Sequence, residues 1–127
     1  MNRKALRKLT SIPGVYPLLA FLTARRVVVR GTSMLPTLAP GERVLCDRLA
    51  YRSGNPVLGD VVLARHPARP GLRMLKRVAG ESAEEFTLLG DHPEESTDSR
   101  QLGPFRAEDI LARAWIVYWP PQRVRHL

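Results

Sequence analysis

Proline and glycine cut this chain into runs too short for long helices. With 11 prolines and 9 glycines in 127 residues, turn signals fall at Pro40–Gly41, Gly54–Asn55–Pro56, Gly59–Asp60 and Pro70–Gly71. Proline presets φ in such turns and glycine admits positive φ. Between them lie six β-type runs, residues 26–31, 42–50, 60–66, 72–80, 84–91 and 110–119, in which apolar and polar residues alternate as in half-buried strands. There is no sustained helical period and no internal repeat. The pattern predicts a mainly β domain over residues 26–127, a folded-over β-sheet or partial barrel, preceded by a short N-terminal arm over residues 1–25. At this length one modest core is available.

Charge is unevenly spread. Of 20 Lys and Arg residues, seven (Arg3, Lys4, Arg7, Lys8, Arg25, Arg26 and Arg30) precede the first acid, Glu42. The rest of the chain carries thirteen bases against twelve acids, so the net charge of +8 falls to +1 there. A nearly neutral body argues against a nucleic-acid partner. The arm has a basic head and then an apolar run over residues 12–24, interrupted by Pro13, Gly14 and Pro17. That run is shorter than the ~20 apolar residues a spanning helix needs. Two readings stay open: it lies on an anionic membrane surface, or it packs on the domain. A cleaved signal peptide is disfavoured, because no small-x-small site precedes Arg25–Arg26. The corresponding locations are cytoplasmic or peripheral to a membrane.

Cys46 is the one cysteine, which allows no internal disulfide, and its alternating context reads as a core thiol. His66, His92 and His126 are scattered, so neither a metal site nor another cofactor is expected.

Two residues break the pattern around them. Ser33 lies in RGTSMLPTLAP (30–40), between Gly31 and Pro36, where the backbone is unusually constrained around one hydroxyl. In LRMLKRVAG (72–80), a period of two puts Leu72, Met74, Lys76 and Val78 on one face and Arg73, Leu75, Arg77 and Ala79 on the other. Lys76 is the only charge on the apolar face. It either snorkels to water along its stem or stays buried, where desolvation favours the neutral amine. A neutral amine is a general base, and a serine needs one to become a nucleophile.

Together, GTSMLPTL, LKRVAG and GDHPEESTDSRQLGPF resemble the type I signal peptidase family of serine-lysine endopeptidases, over residues 27–120. The resemblance implies the signal-peptidase-like β catalytic core, with Ser33 as nucleophile and Lys76 as general base. The Ser33 N–H, preceded by Gly31 and Thr32, would serve the oxyanion hole, and Gly31 stands where some relatives carry a hydroxyl donor. Ser96 would orient the lysine amine, and Asp98 and Arg100 would form a structural ion pair. If the segment is extended, Ser96, Asp98 and Arg100 also share one face.

Some features depart from the family. His92 follows Gly90–Asp91 where asparagine is usual, which admits a rival Ser33–His92–aspartate triad. His66, also followed by proline, reads as a strand-end surface residue. The large substrate-side insertion and firm membrane anchors of general signal peptidases are missing, so the chain looks like a minimal core. Within the family it most resembles the nickel-type superoxide dismutase maturation proteases, which implies a partner precursor protein with an N-terminal leader, possibly the dismutase precursor. The ending ARAWIVYWPPQRV is similar to mitochondrial inner membrane proteases and supports a general leader peptidase as the alternative. A non-catalytic, basic-armed binding module is the reading from another class, and the presence of both Ser33 and Lys76 argues against it.

Overall fold

The structure is a computed structural model and describes residues 4, 5, 8, 11–52 and 54–127. Each of the six alternating runs overlaps a strand. These are β1 (Arg25–Val28), β2 (Arg43–Asp47), β3 (Val61–Arg65), β4 (Arg73–Ser82), β5 (Glu85–Leu89) and β7 (Ile110–Trp119). β1 begins one residue before its run and β4 ends two residues after its run. Two strands escape the sequence pattern, β6 (Phe105–Arg106) and β8 (Arg125–His126), because two residues are too few to show a period. All pairings are antiparallel. The sheet runs β1-β2-β7-β3-β4-β5-β6, with β8 beside β7. It is an open, mainly β structure with β1 and β6 at its edges, not a closed barrel.

β3 shows how the sheet folds over. Val61, Val62, Leu63 and Ala64 are all buried, so both faces of this strand are covered. Val61 and Leu63 join Met34, Leu38, Val44, Cys46 and Val117 in one core. Val62 and Ala64 join Val78, Phe86, Leu88, Phe105 and Ile110 in the other. Phe86 and Phe105 oppose each other across β5 and β6 and are fully buried, each contributing roughly 2–3 kcal/mol of apolar burial. Strands β1 and β4 are separated in the sheet by β2, β7 and β3, yet both line one groove. That requires the sheet to curl on itself.

In the arm, Val15–Thr23 forms helix α1. Pro17 is its third residue, where the missing N–H would have no partner within the helix. The helix seats on the body through fully buried Ala20 and through Tyr16, whose hydroxyl donates to Asp47 Oδ2 while the Arg52 guanidinium lies 4.5 Å from its ring centroid. Burial first, and then Asp47, pushes the Tyr16 hydroxyl up to about 12. Leu18, Phe21 and Leu22 stay exposed on the same helix. Among the described residues no helix is long and apolar enough to cross a membrane.

One buried carboxylate ties the end of the chain to the loop after β1. Glu42, 2% exposed, accepts from Ala39 N (2.6 Å), Arg123 Nε (2.9 Å) and Arg125 Nη1 (2.6 Å). The Arg125 hydrogen bond, against the penalty of burial, holds its carboxyl down at about 2. A depressed carboxylate stabilises above its unfolded pKa of ~4.3 and loses that contribution as pH falls through the folded value. Glu42→Gln is therefore expected to cost about 2 kcal/mol at pH 7. In urea titrations the gap to wild type should hold down to about pH 4.5 and narrow toward pH 2.

Candidate active site

The loop carrying Ser33 is held at both ends and in the middle. Val29 donates its N–H to Glu42 O (2.8 Å) and accepts from Gly41 N (2.9 Å), so residues 30–40 bulge from a closed strand pair. Gly31 takes φ +71°, a left-handed conformation that side chains with a Cβ disfavour. Met34 and Leu38 anchor the loop in the first core, while Leu35 N donates to Thr32 O and Leu38 N to Met34 O. Thr32 donates its hydroxyl to Glu95. The Thr37 hydroxyl donates to Asp91, which Arg77 grips with two bonds of 2.9 and 2.8 Å. Among the described residues the Ser33 N–H carries no hydrogen bond.

Lys76 stays inside. It is 4% exposed and lies on β4 between Val78 of the second core and Met74, which packs against that core. Its Nζ is 2.9 Å from Ser33 Oγ, forty-three positions away in sequence, and 3.2 Å from Ser96 Oγ. Among the described residues these neutral hydroxyls are its hydrogen-bond partners, and no carboxylate pairs with it. Burial lowers its pKa, Asp98 pulls back in the other direction, and Arg100 offsets Asp98.

Ser96 connects the amine to a carboxylate without letting them touch. Its hydroxyl donates to Asp98 Oδ2 at 2.7 Å, which leaves its oxygen lone pairs for the amine. Asp98 is fully buried. It accepts from Gly90 N (2.8 Å), Arg100 Nε (2.9 Å), Arg100 Nη2 (2.7 Å) and Arg100 N (3.1 Å). Burial alone would raise its pKa, but the bonds from Arg100, Gly90 and Ser96 hold it well below the usual carboxylate range. The shared extended face expected for Ser96, Asp98 and Arg100 is only partly present. Ser96 and Asp98 are extended, but Asp98 caps the short helix α2 (Ser99–Leu102), and Arg100 reaches back from its first turn. The cap, not strand alternation, closes the ion pair.

Gly90 belongs to the site and escaped the sequence reading. A Cβ there would lie 2.2 Å from Ser96 Oγ and 2.6 Å from the Ser33 carbonyl oxygen. Its φ is not positive, so no turn signal marks it. The need is close approach, visible only when the three segments are brought together. The Thr37–Asp91–Arg77 clamp was missed for the same reason.

The histidines take other places. His92 donates its N–H to Ser33 O at 2.9 Å, and among the described residues its buried Nδ1 has no hydrogen-bond partner. A triad needs a carboxylate on that nitrogen. The His66 Nδ1 accepts from Ala68 N and Arg69 N at a strand end. Cys46 is fully buried, and burial pushes its thiol up to about 12.

Ser33 and Lys76 open on a groove of about 640 Å³ between residues 25–30 and 72–76. Among the described residues no strand pairs with the far edge of β1. On β4, residues 73–76 pair with β3 only, because β5 joins from Arg77 onward. Two free strand edges therefore border the groove.

The profile of the family described as "Signal peptidase, peptidase S26" matches residues 3–85 and 81–119. The mitochondrial ATP-independent inner membrane protease subunit 1a of Arabidopsis thaliana is 32% identical over 139 aligned positions, covering 88% of this chain and 83% of that protein. The mitochondrial inner membrane protease subunit 1 of Xenopus tropicalis is 29% identical, with 74% and 68% covered. Signal peptidase I of Aquifex aeolicus is 30% identical over 66 positions, half of this chain and 26% of that protein.

Packing at Gly90 can be tested on stability alone. Gly90→Ala should cost about 1–3 kcal/mol in urea denaturation, since backbone or Ser96 must move. Gly80→Ala, whose Cβ would meet Thr87 at an ordinary 3.6 Å, should stay within about 0.5 kcal/mol. Lys76→Met supplies the electrostatic test. A lysine with a lowered folded pKa destabilises the fold below its unfolded value of ~10.4, and less so as pH rises toward it. The methionine variant should gain on wild type at pH 7, and its advantage should shrink by pH 10.

Proposed function

The chain belongs to the signal peptidase, peptidase S26 family, and from that membership we propose that it is a serine endopeptidase that removes N-terminal leaders from precursor proteins, with Ser33 as nucleophile and Lys76 as general base. The observation that carries the proposal is the 2.9 Å approach of a buried amine, free of any carboxylate partner, to a hydroxyl on an open groove.

In this mechanism neutral Lys76 takes the Ser33 proton as Oγ attacks the scissile carbonyl. The ammonium then protonates the leaving amine, and the amine later activates the water that hydrolyses the acyl-enzyme. The unengaged Ser33 N–H receives the oxyanion. Gly31 has no hydroxyl to add, and its positive φ disfavours a serine there. Ser96 fixes the direction of the amine, and Asp98, neutralised by Arg100, fixes Ser96. The substrate lies extended between the free edges of β1 and β4, where main-chain bonds give affinity and small pockets select side chains. By family resemblance, small residues are preferred just before the cut.

The relatives named as inner membrane proteases and as signal peptidase I support a leader peptidase in the broad sense. They lend no support to the narrower nickel superoxide dismutase precursor, which rests on sequence resemblance alone. Incubation of the protein with candidate precursors, read by mass spectrometry, decides between them. The exposed Leu18, Phe21 and Leu22 of α1, which follow Arg3, Lys4, Arg7 and Lys8 in sequence, support peripheral contact with an anionic membrane. Changing these three to serine should reduce partition onto anionic vesicles without slowing cleavage of a soluble peptide.

Ser33→Ala and Lys76→Ala should each lower kcat/KM at least about a thousandfold, since residues that act as one unit lose nearly everything singly. Lys76→Arg should fail equally, because a guanidinium stays protonated. Activity should rise with pH through a lysine titration below the usual ~10.4, and His92→Ala should leave that limb in place. Ser96→Ala should cost less than either. Retained activity in Lys76→Ala, with loss in His92→Ala, would replace the lysine by a histidine mechanism.

A further inference from the structure

We propose that the groove beside Ser33 selects extended peptides carrying Asp or Glu close to the cleaved bond, and that Arg26, Arg30 and Arg73 are the residues that read them. This rests on the peptidase reading above and adds a substrate class to it.

The groove is one-signed. Arg26 comes from β1, Arg30 follows it, and Arg73 comes from β4 on the opposite wall. Among the described residues no Asp or Glu lines the groove. All three side chains are exposed, and among the described residues none has a carboxylate partner. Elsewhere six arginines, Arg65, Arg77, Arg100, Arg106, Arg123 and Arg125, each hold an acid. The basic excess of residues 1–30 is thus not confined to the helical arm. Part of it is delivered by β1 to the wall of the groove.

A cleft lined by one sign of charge concentrates ligands of the other sign and speeds their arrival. A peptide seated between the two strand edges bonds to both walls through its main chain, so its side chains alternate between the floor and the open rim of the groove. The apolar floor given by Val27, Val29 and Met34 suits small side chains, and the guanidinium rim suits carboxylates. A peptide bearing both would satisfy floor and rim together.

Binding tests the inference apart from catalysis. Ser33→Ala protein is titrated with a labelled soluble peptide that has alanine at its centre and Asp and Glu around it, and with the same peptide carrying Asn and Gln. The acidic peptide should bind about tenfold tighter at low salt, and the gap should close near ~1 M salt. Arg26→Gln/Arg30→Gln/Arg73→Gln should abolish the gap while leaving the amide peptide's Kd unchanged, which also reports an intact groove. Equal affinity for the two peptides, or a gap that survives the triple change, overturns the inference. Loss of binding to anionic vesicles in the triple variant, with no gap between the peptides, overturns it in favour of a membrane role for these arginines. A gap in binding with no cleavage by the Ser33 protein keeps the inference and removes the peptidase reading.

Discussion

Much of this structure answers to one constraint, a lysine amine held out of water with no acid against it. A carboxylate in contact with Lys76 Nζ would keep it charged, and an apolar lining would leave its hydrogen-bonding atoms unsatisfied. The structure supplies hydroxyls instead, Ser33 on one side and Ser96 on the other. The nearest carboxylate, Asp98, is kept one hydroxyl away and is already satisfied by Arg100 and by the Gly90 N–H. Helix α2 exists as a single turn whose cap is that same aspartate. The local fold at residues 90–102 is therefore inseparable from the electrostatics of a side chain on β4.

What could be read beforehand followed from how local each feature is. Strand β7 coincides with its alternating run because ten residues give the period room to show. The anomaly at Lys76 was legible for the same reason: a charge on a face otherwise apolar is a statement about Leu72, Met74 and Val78 alone. Whether it would snorkel or stay buried was not legible, since that depends on β3, the Ser33 loop and residues 90–96 closing over it. Gly90 was invisible because its neighbours lie in other segments. Arg100 was placed on the right partner by the family resemblance, while the added argument from alternation was incorrect, since it was extended into residues that the Asp98 cap turns into a helix. In the arm, Pro13, Gly14 and Pro17 were read as interruptions of the apolar run, yet Gly14 starts a helix and Pro17 sits where a helix tolerates proline.

Charge had to be reassigned once the strands were in place. Counting along the chain attributes the basic excess to a terminal arm, and the count is correct. The sheet, however, carries residues 25–30 to the rim of the groove that holds Ser33. A property that looked like one of the periphery belongs partly to the site.

The paired free edges of β1 and β4 have a further consequence. The curled sheet resembles a cask with a gap between two staves, and on the proposed peptidase reading the stave that fits is a segment of the substrate. With a peptide seated there, the walls beside Ser33 and Lys76 would be laced together through its main chain, tightening the gap while the hydroxyl and amine are held in register. Departure of a cut product would unlace them again. On that reading occupancy and rigidity would rise and fall together, and the substrate would serve briefly as a structural member of the fold.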